Sequence, residues 1–170
     1  MTEFDSLLDE TLEAWKDARD GIIDEFRNIP AKHWDYRPSS ETKSVRELAV
    51  HILEVAMMMT GELTRPDTDF HRAPWPKLLK MYAGAAYRAK TRGELLRLLV
   101  TQHRKADKMF RRGGEIHILQ SIDRFDGRKG TRLAWLQHGI AQEMYHRGQL
   151  TTYARLLGIE PALTRRIRGG

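Results

Sequence analysis

The sequence predicts an all-α protein, a four-helix bundle with a long crossover between its second and third helices. In four long segments the apolar residues recur every three or four positions, which is the spacing of one face of an α-helix. No convincing set of strands is present. The connection from Arg65 to Lys90 is about 25 residues long, too long for a bare loop in a compact domain. Such a link favours a crossover over a simple up-and-down path.

Helix one is predicted from about Phe4 to Arg27, and Pro30 ends it. Helix two begins after Ser44, because Ser44 and Glu47 have the spacing of a capping box, in which each side chain binds a free backbone amide. Pro66 lies just beyond the end of this helix. Its core stripe reads Leu48, His51, Ile52, Val55, Met59 and Leu63.

The crossover itself is expected to contain a short helix at Trp75–Tyr82. Helix three starts near Thr91, again with a glutamate three residues on, and Gly113-Gly114 is expected to stop it. The segment Glu115–Gly130 is ambiguous between a brief extended piece and a turn-rich link.

Helix four is predicted from about Thr131 to Leu157, and it is closed by Gly158 with a proline soon after. Residues 164–170 are interpreted as a loose basic tail of a single 1–170 domain.

The composition restricts the class of function. A chain of 170 residues suits one domain, and the absence of cysteine excludes disulfides, thiolate ligands and a cysteine nucleophile. The first five residues are acidic and are not a secretory signal, and the longest apolar run is too short to span a bilayer. A cytoplasmic location is therefore expected. The net charge is +6, but the basic residues are scattered and carry no nucleic-acid-binding motif, which argues against nucleic acid as a partner.

The most informative segment is a polar stripe on predicted helix four. Gln142, His146, Gln149 and Tyr153 lie on one face of it, beside an apolar stripe. Polar groups in that position are costly unless they find partners, so a functional site is expected there. Gly148 stands in mid-helix, where it costs about 1 kcal/mol against alanine, and a close approach by a neighbouring helix or loop would explain it.

Three histidines are predicted to face inward, one on each of three helices: His51, His103 and His146. A single inward histidine is more often a hydrogen-bonded core residue than a ligand. Three of them suggest a metal site, since bundles build such sites from facing helices, and imidazole suits zinc, nickel, copper or iron. Gln142 precedes His146 by one turn and could supply an amide oxygen, a weaker donor than imidazole.

Glu143 also belongs to this segment, where the pattern Gln142-Glu143-x-x-His146 is similar to that of zinc proteases with the first histidine replaced. Because that pattern needs both histidines as ligands, a protease function receives little weight. An ion pair with Arg147 one turn later is the simpler interpretation.

Two blocks of sequence resemble the signatures of a known superfamily. Ser44-Val45-x-Glu47-Leu48-Ala49-x-His51-Ile52, preceded by Trp34-x-Tyr36-Arg37-Pro38, resembles the second-helix signature of DinB/YfiT-like proteins. The block Glu143–Leu150, followed by Tyr153–Pro161, is similar to the last-helix signature. The two blocks stand in the expected order, and the resemblance spans nearly the whole chain.

The resemblance implies a four-helix bundle with an unusual crossover, commonly a homodimer, with a divalent metal held by one histidine of helix two and two of helix four. Carried over to this sequence, the ligands are His51, Gln142 and His146, with glutamine where the family usually has histidine. Zinc or nickel is the expected ion. Glu143 and His103 are the candidates for a base or outer partner.

Two functions follow as hypotheses. The first is a metal-dependent hydrolase or thiol transferase with a pocket between helices two, three and four, acting on a small molecule such as a low-molecular-weight thiol. The second is a metal-free bundle that serves as a small-molecule binder or a stress-related interaction module, with Gln142 hydrogen-bonded to His51 or His146. A basic protein that contacts nucleic acid is a weaker third possibility.

Overall fold

The computed structural model describes residues 6–169, and Phe4, the expected start of helix one, lies outside them. In chain order the described residues form α1 (Leu7–Asn28), a 3₁₀ turn (Ala31–His33), α2 (Val45–Leu63), α3 (Trp75–Tyr82), α4 (Gly84–Arg88), α5 (Arg92–Ile118), β1 (Ser121–Asp123), β2 (Lys129–Thr131), α6 (Arg132–Leu156) and α7 (Ala162–Arg168). The predicted helices one to four are therefore α1, α2, α5 and α6.

These four long helices form the bundle, as predicted. Helices α1 and α2 each pack mainly on both α5 and α6. As a result, α1 and α2 occupy opposite corners, and so do α5 and α6. The crossover after α2 contains α3, as predicted, and also α4. Within residues 6–169 no helix is both long enough and apolar enough to cross a membrane.

The helix boundaries follow the capping signals in the sequence. Ser44 and Glu47 form the predicted capping box of α2, and Thr91 and Glu94 form that of α5. At the other end, α6 is followed by Gly158 with φ of 72°, a left-handed conformation that glycine adopts without strain.

The predicted apolar stripes are buried in two clusters. One surrounds Phe26, Ile52 and Leu99, and the other surrounds Trp15, Met58 and Phe110. The loop before α2 contributes a core residue that helical periodicity could not predict: Trp34 is fully buried and packs on Phe26, with ring centres 5.6 Å apart. This contact fixes the loop that enters α2.

A buried carboxylate holds the crossover against α2. Glu62 is fully buried, and it accepts hydrogen bonds from Nε of Arg72 at 2.9 Å and from the hydroxyl of Tyr82 at 2.5 Å. Arg72 precedes α3 and Tyr82 ends it. The short helix is thus tied to the bundle at both ends.

The expected stop at Gly113-Gly114 is wrong in position. A single turn of helix continues to Ile118 beyond a break at Gly114, whose φ of 77° and ψ of 175° are not helical. The ambiguous segment that follows contains an antiparallel hairpin in which Ile122 pairs with Gly130. Ile122 is buried, so the hairpin is held by the core as well as by its own hydrogen bonds.

The prediction of a loose basic tail is also wrong for residues 164–168, which lie in α7. The reason is a carboxylate distant in sequence: the fully buried Glu25 on α1 accepts from the backbone amides of Ala162 at 2.9 Å and Leu163 at 3.1 Å. These are free donors of the first turn of α7, and a carboxylate is favoured at a helix N-terminus. Gly170 lies outside the described residues.

Candidate functional site

The bundle brings His51, Gln142 and His146 together. His51 projects from α2, and the other two project one turn apart from α6. The imidazole rings of His51 and His146 have their centres 5.0 Å apart and stand nearly perpendicular. The side-chain nitrogen of Gln142 lies 3.2 Å from Nε2 of His51.

Each histidine has a hydrogen-bond acceptor at Nδ1. Oε1 of Glu54 lies 2.7 Å from Nδ1 of His51, and Oε1 of Gln149 lies 2.6 Å from Nδ1 of His146. A carboxylate only accepts hydrogen bonds, so Nδ1 of His51 carries the proton and Nε2 keeps its lone pair. Gln142 then donates to that lone pair. Both rings are therefore in the tautomer that leaves Nε2 as the free acceptor or ligand.

Glu54 is a site residue that the sequence reasoning missed. It lies one turn after His51 on α2, and its second oxygen accepts a hydrogen bond from the hydroxyl of Tyr87 at 2.6 Å. The spacing of three residues from an inward histidine was a signal that could have identified Glu54. Tyr87 lies on α4, and nothing in the local sequence indicates that it reaches the site.

The surroundings of the cluster favour the neutral form of His146 and the ionised form of Glu54. Burial lowers the pKa of His146 below its ordinary value, and the proximity of His51 and Lys43 lowers it further. Burial raises the pKa of Glu54, but the hydrogen bonds from His51 and Tyr87 outweigh that effect and the net shift is downward. Burial, together with the hydrogen bond to Glu54, raises the pKa of Tyr87 to about 12. Tyr87 therefore remains a donor at neutral pH.

A cleft of about 430 Å³ opens onto this cluster. It is lined by His51, Glu54 and Val50 of α2 together with the loop from Arg37 to Lys43. The hydroxyl of Tyr153 on α6 donates to the backbone carbonyl of Lys43 at 3.0 Å and so holds that loop in place. The cleft lies at the N-terminal end of α2 rather than between helices two, three and four.

The donor set fits a weakly held divalent ion. Two imidazoles that share one tetrahedral zinc, with each nitrogen about 2.0–2.1 Å from the ion, have ring centres roughly 5 Å apart, and the observed distance is 5.0 Å. Among residues 6–169 no three histidine, cysteine, aspartate or glutamate side chains form a metal-binding group. The third donor has to be Gln142, and its amide must rotate to turn the oxygen toward the ion.

Glu143 faces away from this cluster, toward α1. It is 2% exposed, and its carboxylate accepts from Nε1 of Trp15 at 2.8 Å and from the guanidinium of Arg19 at 2.5 and 2.9 Å. The ion pair with Arg147 expected from the sequence is replaced by this pair with Arg19. The guanidinium of Arg147 instead approaches Asp17 at 3.9 Å.

His103 packs beside the same ion pair. Its ring stands edge-on to Trp15, with ring centres 4.7 Å apart, and no partner for its Nδ1 lies within the described part of the chain. Burial lowers the pKa of His103, and the positive charge of Arg19 lowers it further. His103 is therefore inward-facing, as predicted, but its ring contacts Trp15 and not the His51–His146 pair.

The close approach expected at Gly148 is not observed. Gly148 is exposed on α6, and a Cβ added there would have no atom of residues 6–169 within 4 Å.

Comparisons with solved structures show the same fold. The chain is similar to YjoA, a DinB-like protein from Bacillus subtilis (22% identity over 88% of this chain and 92% of that one, TM-score 0.66). It is also similar to a protein from Exiguobacterium sibiricum described as a member of the DinB family (24% identity, 93% and 94% coverage, TM-score 0.60). YfiT from Bacillus subtilis, described as a probable metal-dependent hydrolase with an unusual four-helix bundle topology, shares 16% identity over 94% and 95% of the two chains, with a TM-score of 0.66.

A search of curated proteins finds no match. A sequence profile of the DinB family, however, matches residues 1–168, which is nearly the whole chain. With the fold shared by three DinB-like structures, this match shows that the chain belongs to the DinB family.

Proposed function

We propose that this protein binds a divalent metal, zinc or nickel, through His51, Gln142 and His146, and that it is a metal-dependent hydrolase or thiol transferase. The observation that carries the proposal is the paired arrangement of the two imidazoles. Their ring centres are 5.0 Å apart, and each ring has an acceptor at Nδ1 that leaves Nε2 unprotonated and able to bind a metal. The description of YfiT as a probable metal-dependent hydrolase supports it.

The residues around the pair serve the proposed chemistry in distinct ways. Glu54 holds the proton of His51 on Nδ1, and an outer carboxylate of this kind raises the basicity of a ligating imidazole. Burial keeps His146 neutral, as a ligand must be. The chemistry that a divalent ion supplies in such a site is to make water or a thiol nucleophilic near neutral pH.

Lys43 supports a substrate that carries or develops negative charge. Its ammonium group lies close enough to Glu54 and His146 to lower the pKa of both. A thiolate, or an oxyanion formed during hydrolysis, would be stabilised by the same cation. The buried and engaged side chains of Glu143 and His103 receive no role in this proposal.

The test is the metal content of the full chain, purified without a His-tag, measured by elemental analysis and by titration of the metal-stripped protein with Zn²⁺ and with Ni²⁺. We expect about one equivalent per chain, its loss in His146→Ala, and tighter binding in Gln142→His, because imidazole is a stronger donor than an amide oxygen. His138→Ala is the matched control, since His138 is an exposed histidine of the same helix.

The second candidate function is a metal-free bundle that binds a small molecule or serves a stress-related interaction. The hydrogen bond from Gln142 to His51, at 3.2 Å, favours it, because this bond satisfies Nε2 of the half-buried imidazole without an ion. A parent protein that binds neither ion, together with a Gln142→His variant that does, would exclude the first function and direct the search to bound small molecules and partners.

The homodimer implied by the family resemblance also remains a proposal. Sedimentation of the full chain at several concentrations tests it directly.

A further inference from the structure

A second cavity, of about 450 Å³, lies between α2 and α5 and is bordered by α3 and α4. Its volume is in the range of small-molecule pockets, about 300–1,000 Å³. It includes none of the residues of the His51–His146 cluster. Its apolar wall consists of Met57, Tyr82, Ala85, Leu98, Ala106 and Met109.

The two buried polar side chains of this cavity, the groove between α2 and α5, are Thr60 and Gln102, and both are already hydrogen-bonded. Gln102 donates to the hydroxyl of Thr60 at 3.2 Å, and its carbonyl oxygen accepts from Arg19 at 3.0 Å. The hydroxyl of Thr60 donates in turn to the backbone carbonyl of Ala56 at 2.7 Å. A ligand in the groove therefore does not have to supply a polar group there, and an apolar chain is the chemistry that fits.

A cationic surface adjoins the groove along α5. This shallow surface, with a volume of about 480 Å³, is lined by residues of one face of α5 alone: Thr101, Arg104, Lys105, Lys108, Met109 and Arg112. Thr101, Lys105 and Met109 also line the groove, so the two adjoin there. No carboxylate side chain of residues 6–169 lines either of them.

The four cations of this surface are exposed: Arg104, Lys105, Lys108 and Arg112. On the same helix, Arg111 forms ion pairs with Asp9 and Asp107. Within residues 6–169, by contrast, no carboxylate lies within 4.0 Å of the four cations of the surface. Clustered charges of one sign attract an anion.

We propose that this groove and the adjoining cationic surface together bind one molecule of an anionic amphiphile of the fatty-acid class. The hydrocarbon chain occupies the groove between α2 and α5, and the carboxylate lies against Lys105 and Lys108. A nucleic acid would use the cations without the groove, and a neutral apolar ligand would use the groove without the cations. The continuity of the two through Thr101 and Lys105 selects a ligand that has both parts.

The test is isothermal titration calorimetry of the full chain with hexanoate, octanoate and decanoate below their micelle concentrations, and with 1-octanol. We expect one saturable site whose affinity rises at least tenfold from hexanoate to decanoate, since each fully buried methylene contributes about fourfold. Octanoate should bind about fivefold or more tightly than 1-octanol, because only octanoate carries the charge.

Two variants separate the parts of the site. Thr101→Trp fills the junction of the two cavities from an exposed position and should abolish decanoate binding. The double variant Lys105→Glu/Lys108→Glu should weaken decanoate about tenfold and leave 1-octanol nearly unchanged. The double variant Lys32→Glu/Lys129→Glu makes the same change of charge at exposed positions that line neither cavity, and it is the control. Circular dichroism of each variant verifies that the bundle is folded.

Three outcomes would overturn the proposal. The first is the absence of saturable decanoate binding. The second is decanoate binding that Thr101→Trp leaves unchanged. The third is binding only to phosphatidylglycerol vesicles or to single-stranded DNA, with steep salt dependence and no response to free decanoate, which would assign the surface to a membrane or a polyanion. The metal titrations of the parent, His146→Ala and Gln142→His are independent of all three.

Discussion

Glu143 on α6 binds the guanidinium of Arg19 on α1 inside the bundle. Oε1 accepts from Nη2 at 2.5 Å and Oε2 from Nε at 2.9 Å, and the two side chains are only 3% and 0% exposed. Nε1 of Trp15 donates to the same carboxylate at 2.8 Å. A residue that the sequence presents as a candidate base is thus part of the contact that joins α1 to α6.

This pair predicts that Glu143→Gln destabilises the fold. The substitution leaves the charge of Arg19 buried without a counter-charge, which costs about 3–5 kcal/mol when one partner of a buried pair is removed. Urea unfolding followed by circular dichroism measures the loss. Glu13→Gln, an exposed change on α1, should stay within about 0.5 kcal/mol of the parent. An unchanged free energy of unfolding in Glu143→Gln would contradict the structural role and restore Glu143 as a candidate base.

A second prediction concerns Glu54 as the residue that positions His51. Glu54→Gln removes the carboxylate that holds the proton on Nδ1, and we expect zinc affinity to fall about 10–100-fold, as for other outer-shell partners of metal ligands. Tyr87→Phe removes only the outer hydrogen bond to Glu54 and should have a smaller effect. Competition with a chromophoric chelator measures both affinities. Equal losses in the two variants would show that the carboxylate itself does not matter.

The third prediction is a fall in stability with acid that arises from His103. Burial and then Arg19 lower the pKa of His103 in the folded state, although Glu143, Asp107 and Asp20 act in the opposite direction. Below about pH 6.5 the unfolded chain binds a proton at His103 that the folded chain does not bind. The contribution of His103 to the free energy of unfolding is therefore complete above pH 6.5 and is lost as pH falls through the folded-state pKa.

The slope from one such group is at most about 1.4 kcal/mol per pH unit. His103→Phe should therefore flatten the dependence of the unfolding free energy on pH between about 7 and 5. His146, whose pKa is also lowered, should account for the slope that remains. Urea unfolding at a series of pH values measures the slope of the unfolding free energy against pH. A slope in His103→Phe equal to that of the parent would exclude His103 as the cause of the pH dependence.

The fourth prediction uses two glycines in different conformations. Gly148→Ala should stabilise the chain by about 0.5–1 kcal/mol, because the position is helical, exposed and open around a new Cβ. Gly114→Ala should destabilise it by about 1–3 kcal/mol, because φ of 77° with ψ of 175° is a conformation that essentially only glycine adopts. Thermal unfolding compares the two variants. A loss of stability in Gly148→Ala that depends on protein concentration would show that a second subunit packs on this face of α6.

Much of the fold was predictable because its causes are local. The capping boxes at Ser44 and Thr91 and the closing glycine at 158 need only near neighbours, and all three are confirmed. The errors have non-local causes. The helix α7 depends on Glu25, more than a hundred residues earlier, and the extent of α5 beyond Gly114 depends on burial of Ile118 in the core.

The candidate site divides in the same way. Helical periodicity predicted that His51, Gln142 and His146 face the interior of the bundle. The resemblance to DinB proteins predicted that these three side chains lie together in one site. The roles of Glu143 and Tyr87 could not be read from spacing, because a hydrogen-bond partner on another helix has no sequence signature.

By itself the sequence determined the four long helices, their N-terminal caps, their buried faces and the family, since each depends on contacts within a few residues or on a linear signature. The tertiary structure alone decided which polar side chains are paired within the bundle and which line a cavity. Those outcomes depend on how α1, α2, α5 and α6 pack against one another, and this packing joins residues that are far apart in the sequence. Only the assembled bundle therefore pairs Glu143 with Arg19, brings Tyr87 to Glu54, and places Thr101 where the groove meets the cationic surface.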